Sequence, residues 1–188
     1  MYERGILFSL VVVVAVLVLL SSIFPWWIMS VREIVTNRKS YLYIYAYGLT
    51  HNMSELRQYV LRHETPPVLM LAARVYLYAL VVLALVSAYL ILKAKAKTAA
   101  KILITIGAIY LLYTLAFLPV LYEGTTTAPE KIPMQGELWI YLYEYSLHVT
   151  THFDIGYYLS LISSVLLIIT GIITKKVTKN DGKKRTNI

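Results

Sequence analysis

The sequence contains no cysteine, so disulfides, iron–sulfur clusters, thiol nucleophiles and zinc–thiolate sites are all excluded. Charge is scarce as well. Of 188 residues, 15% are charged and 59% hydrophobic, against about 25% and about 45–50% in an ordinary soluble domain. That leaves too little polar surface to cover a water-soluble globule. Asn and Gln are also few, limited to Asn37, Asn52, Asn180, Asn187, Gln58 and Gln135. Depletion of Asn, Gln and Cys together is a thermophile-like composition. No Gly-rich phosphate loop, Ser/His/Asp order or paired-carboxylate motif is present. A soluble enzyme, a nucleic-acid-binding domain and a secreted disulfide scaffold are therefore excluded.

What is present is four long apolar runs, residues 6–24, 68–92, 102–118 and 155–174. Each is near the length of about 20 residues that a helix needs to cross a bilayer core. The expected fold is an all-α membrane protein, a four-transmembrane-helix bundle with spans at about 6–27, 68–92, 99–118 and 155–174. These form one membrane domain, 1–174, followed by a basic, disordered cytoplasmic tail, 175–188. The first run exceeds the 7–15 residues of a signal-peptide core and no A-x-A site follows it, so it reads as a permanent span. Phe24-Pro25-Trp26-Trp27 then supplies a helix stop and an aromatic anchor at headgroup level. Pro119 is expected to close the third span. No acidic residue sits within any run, which leaves a proton relay or an ion-coupled transporter without the groups it needs.

The net charge of +8 is unevenly placed. Lys93, Lys95, Lys97 and Lys101 lie between the second and third runs. Lys175, Lys176, Lys179, Lys183, Lys184 and Arg185 follow the fourth. Basic residues close to span ends stay cytoplasmic, so both termini are expected inside a multi-pass protein of the cell membrane. The basic inner face would favour anionic lipid, and nucleic acid is not an expected partner. The two long segments, 30–67 and 120–154, are then outside.

These outer segments carry period-two aromatic patterns. Tyr41, Tyr43, Tyr45 and Tyr47 alternate along one, and Trp139, Tyr141, Tyr143 and Tyr145 along the other. Strict alternation with aromatic enrichment reads as β-strand. Aromatic cross-strand pairs stabilise such strands by about 0.2–1 kcal/mol each. The expectation is that the two tyrosine strands pair directly, forming a small extracellular β-sheet from both outer loops. Ser54 is expected to cap a short helix over 54–61. Asn52-Met53-Ser54 is a glycosylation acceptor sequence, making Asn52 a candidate modification site.

Four histidines lie outside the runs, at His51, His63, His148 and His152. A haem held by span histidines is thus not expected, and no cofactor is. His148 and His152 are weak metal candidates, because their spacing of four suits a helix face while His148 ends an apparent strand. Arg74 is the ionised side chain inside a run. The expectation is that it clamps the outer sheet through Asp154, Glu123, Glu144 or loop carbonyls. Gly156, Ser160 and Ser164, with Gly171 further on, suit close helix packing.

Three short motifs resemble the claudin and peripheral-myelin-protein superfamily. Phe24-Pro25-Trp26-Trp27 is similar to the Pro-x-Trp that ends that family's first span. Leu71-Ala72-Ala73-Arg74 is similar to the Ala-Ala-Arg that opens its second, and Ala94-Lys95-Ala96-Lys97-Thr98 to the lysine-bearing entry to its third. The family's Gly-Leu-Trp signature and loop cysteine pair are absent. The resemblance implies four spans, inner termini and an outer sheet built from both loops. Two functional classes remain open. One is a non-catalytic tetraspan that makes lateral or cell-surface contacts, as a homo-oligomer or as an accessory subunit of a larger membrane complex such as an oxidase or transporter. The other is a membrane enzyme that uses His148, His152 and the outer tyrosines near a quinone or metal. Candidate interaction residues are Arg74, Trp26, Trp27, Tyr41, Tyr43, Tyr45, Trp139, Tyr141, Tyr143 and Asp154.

Overall fold

A computed structural model describes residues 2–52, 67–128, 130–141 and 146–186, with side chains described within 3–178. The order is α1 (Tyr2–Ile23), β1 (Trp27–Glu33), β2 (Lys39–Tyr45), β3 (Gly48–His51), α2 (Pro67–Leu92), α3 (Ala96–Thr126), β4 (Gly136–Tyr141), β5 (Ser146–Phe153) and α4 (Ile155–Thr186). The four helices among the described residues each contain a stretch long and apolar enough to cross a membrane. The chain divides into two compact units. One comprises Met1–Leu20, Val75–Thr114 and Leu159–Ile188, and the other Ser21–Arg74 and Leu115–Tyr158.

The first unit is helical. Its buried residues recur every three or four positions, as Leu7, Val11, Val14 and Val18 on α1 and Leu77, Leu80, Ala84, Ser87, Ala88 and Ile91 on α2. On α4 the buried stripe is small and hydroxylated, with Ser160, Ser163, Ser164, Thr170 and Thr174. Ser163, Ser164 and Thr174 donate to carbonyls of their own helix, so burial leaves these hydroxyls satisfied. The exposed positions are apolar: Val13 and Val16 on α1, Val82, Leu85 and Val86 on α2, and Ile162, Val165, Ile169 and Ile172 on α4. A helix that is apolar on its outer side and small or polar on its inner side reverses the soluble pattern. Between α2 and α3 the chain turns in three residues. Ala94 adopts a left-handed conformation (φ 61°) and donates to the carbonyl of Ile91, while the N–H of Lys95 donates to Leu90. These two bonds form a Schellman motif with Ala94 at the position glycine usually takes.

The second unit is built on a five-stranded antiparallel sheet of order β3-β2-β1-β5-β4. Both segments between helices contribute to it. The expected direct pairing of the tyrosine strands is wrong, because β1 and β5 separate β2 from β4. The expected pairing leaves out β1, of which the first residue, Trp27, is expected at the end of the first span. That helix ends at Ile23, since Pro25 cannot continue it. Trp26 and Trp27 are accordingly not a headgroup anchor. They are 1% and 2% exposed, turned into the interior where the strand begins.

Two further expectations change. Pro119 does not close the third helix, which continues to Thr126. Beyond Pro119 the helix buries Leu121 with the sheet core, and that burial compensates for the missing N–H. Thr126 and Thr127 then donate to the carbonyls of Tyr122 and Glu123 near the helix end. The tail is helical to Thr186, because an established helix propagates without a new nucleation cost. The capped helix expected at Ser54 lies outside the described residues, as do Tyr143, Glu144, Tyr145 and His63.

Gly156, in the first turn of α4, meets the segment that follows α1. Its N–H donates to the carbonyl of Pro25 at 3.0 Å, and a Cβ there would lie 2.5 Å from that oxygen and in contact with the carbonyl of Phe24. Gly156→Ala should lower stability by about 1–3 kcal/mol, since backbone has to move. Gly5→Ala, where a Cβ meets nothing within 4 Å, should leave it unchanged or slightly raised. Thermal unfolding in detergent distinguishes the two.

Candidate functional site: the aromatic face of the sheet

Alternation along each strand sorts the sheet into two faces. One face carries Trp27, Met29 and Val31 of β1, Leu42 of β2, and Leu147 and Val149 of β5. These close into a core with Leu121 of α3 and Ile132 of the following loop. The Trp27 indole donates to the carbonyl of Met134 at 2.6 Å, and the Thr151 hydroxyl to that of Pro133 at 2.8 Å. Pro133 and Met134 are thereby tied to the inner face.

The opposite face is aromatic and polar, and the strand register arranges it in rows. Tyr43, Ile28 and His152 lie side by side across β2, β1 and β5. Tyr41, Ser30, Thr150 and Glu137 form the next row, and Lys39, Arg32, His148 and Trp139 the one after. Ser30 and Thr150 share a hydroxyl–hydroxyl bond of 2.6 Å across the central pair. Along β2 the tyrosines form a ladder. Ring centroids are 5.9 Å apart from Tyr41 to Tyr43, 6.5 Å from Tyr43 to Tyr45, and 5.4 Å from Tyr45 to Tyr47. At the far edge the Trp139 indole stacks on His148 at 4.4 Å, and His148 Nε2 lies 3.1 Å from Glu137 Oε2. Trp139 remains 50% exposed and Tyr141 76%.

The remaining sequence candidates fall elsewhere. Trp26 donates from its indole to the Ser21 carbonyl and meets Phe117 and Tyr157 edge-on, so its place is in packing. The N–H of Asp154 donates to the carbonyl of Trp26, which fixes the start of α4. The Asn52 side-chain oxygen accepts from the Tyr41 N–H at 2.6 Å, while the Asn52 N–H donates to the Tyr41 carbonyl. These bonds extend the β2–β3 pairing and hold the acceptor amide in an exposed position. His148 and His152 occupy one face of a strand, two pairs apart. Residues four apart on a strand lie about 13 Å from each other, beyond the reach of one metal ion. No group of three metal-ligating side chains occurs among the described residues.

Glu144, one partner expected for Arg74, lies outside the described residues, and the arginine itself meets a ring. Its guanidinium carbon lies 4.4 Å over the ring of Tyr47, and among the described residues no ion pair joins it to Asp154 or Glu123. The reach of β2 toward α2 depends on the β2–β3 turn and was not legible in spacing. The strands that sequence reasoning missed did carry a signal. Trp27, Met29 and Val31 alternate with Ile28, Ser30 and Arg32, and Val149-Thr150-Thr151 is a β-branched run.

No family model matches this chain, and no curated protein matches it in sequence.

The two faces should respond differently to truncation. Trp27→Ala opens a cavity and removes the bond to Met134, and should lower stability by about 3–5 kcal/mol. Tyr141→Ser, on the open face, should change it by less than about 0.5 kcal/mol. Thermal or denaturant unfolding of the two variants checks this contrast.

Proposed function

We propose that the chain is a four-span membrane protein, claudin-like in architecture, whose outer sheet makes contacts with other membrane or cell-surface proteins. In this reading both termini and the basic turn between α2 and α3 are cytoplasmic, and the aromatic face is the contact surface. The observation that carries it is the asymmetry of the sheet. One face is closed over a core, while the other aligns tyrosines, histidines and an exposed Trp139 and Tyr141 on a rigid support. Tyrosine and tryptophan supply large contact area at low entropic cost, and they are enriched in protein interfaces. The apolar exterior of the helices supports burial in lipid, since Val, Ile and Leu face outward on α1, α2 and α4 while Ser and Thr line the inner stripe of α4. The lysine clusters support the orientation. His148, engaged by Glu137 and Trp139, is part of the recognition surface rather than a metal ligand.

A photo-crosslinking amino acid at position 141, incorporated in cells, should capture a second polypeptide, either another copy or a different membrane protein. The same group at position 82, on the exposed apolar side of α2, should capture lipid. Trp139→Ala should reduce the adduct at position 141 without lowering thermal stability. Lipid adducts alone at both positions would contradict the proposal.

A further inference from the structure

Arg74 is the charged residue of α2, a helix of 26 residues. Met70 and Arg74 are four apart and share a helix face. Both engage the turn between β2 and β3. Met70 lies over Gly48, where a Cβ would come 2.5 Å from the methionine Cε. The φ of +148° at Gly48 is one that side-chain-bearing residues avoid. Arg74 lies over Tyr47 at 4.4 Å. The turn thus holds the arginine in place while leaving its side chain exposed. The flanking positions on the helix, Leu71, Val75 and Tyr78, are 63%, 59% and 58% exposed and apolar or aromatic. Arg74 is therefore a fixed cation set in an exposed apolar surface, seven residues or about 10 Å from the start of the helix.

A guanidinium held over a ring meets its π face with the cation and keeps the N–H donors that point away from the ring available. Two adjacent donors match two oxygens of a phosphate. We propose that Arg74, positioned by Tyr47, binds the phosphate group of an anionic lipid at the outer end of α2. The inference rests on the membrane reading above, since only in a bilayer would this surface meet lipid at headgroup level.

Full-length protein reconstituted in mixed phosphatidylcholine and phosphatidylglycerol vesicles, then released in mild detergent, can be assayed for retained lipid by native mass spectrometry. The wild type should retain phosphatidylglycerol in preference. Arg74→Gln should lower that preference about fivefold, the weight of one basic residue at an anionic surface. Tyr47→Phe should retain it and Tyr47→Leu weaken it, because the ring face rather than the hydroxyl holds the arginine. Arg74→Lys, which keeps the charge without the fork, should be intermediate, and it serves as the comparison if the glutamine variant does not fold. Inorganic phosphate that bound the wild type, displaced the lipid and was lost with Arg74→Gln would support the phosphate site and place its source in solution. Equal retention by wild type, Arg74→Gln and Arg74→Lys would overturn the site while leaving the membrane reading intact. Failure of the wild type to float with vesicles would overturn both.

Discussion

The pairing of β1 with β5 is the constraint on which the sheet-bearing unit depends. β1 follows α1 after a short break at Pro25, and β5 runs into α4 through Asp154. Opposing Trp27 to Phe153 brings the end of one helix to the start of another. The bonds from Asp154 to Trp26 and from Gly156 to Pro25 then close the joint. A side chain at position 156 would strike two carbonyl oxygens, so the joint requires glycine. β2 and β3 on one side, and β4 on the other, add to this central pair in antiparallel register. A one-residue slip of β1 would send Trp27, Met29 and Val31 out of the core. Register and core therefore specify each other.

The same register accounts for the open face. Because side chains alternate, burying Leu42 and Ile44 compels Tyr41, Tyr43 and Tyr45 to stand together on the other side. The tyrosine ladder and the Trp139–His148 stack are thus arranged by the core, without contacts of their own having to set their positions. Such preorganisation suits recognition, since little ordering entropy is lost when a rigid aromatic surface binds.

Much of the helical layout was legible because long apolar runs report on themselves. The second helix was expected over 68–92 and forms over Pro67–Leu92. Boundaries were less legible wherever tertiary burial overrode a local signal. Pro119 reads as a stop, yet Leu121 and Phe117 pack with the sheet core and the helix continues. Trp26-Trp27 reads as an interfacial belt, yet both indoles are internal because a strand begins there. Of the site, the aromatic alternation at Tyr41–Tyr47 and at Trp139–Tyr141 was visible at once. Its pairing was not, because β1 and β5 carry mixed residues such as Ser30, Arg32, His148 and His152 on their open face, which dilutes the strand signal. The contact of Arg74 with Tyr47 joins segments separated in sequence and had no local signature.

In the proposed topology the sheet and the basic turn lie on opposite sides of a bilayer. The absence of cysteine makes single-cysteine variants clean reporters. Labelling of Tyr141→Cys and Lys95→Cys in intact cells with a membrane-impermeant thiol reagent tests the claim directly. The account predicts that position 141 is labelled from outside and that position 95 is labelled only after permeabilisation. Labelling of both positions in intact cells, or of position 95 alone, would contradict it.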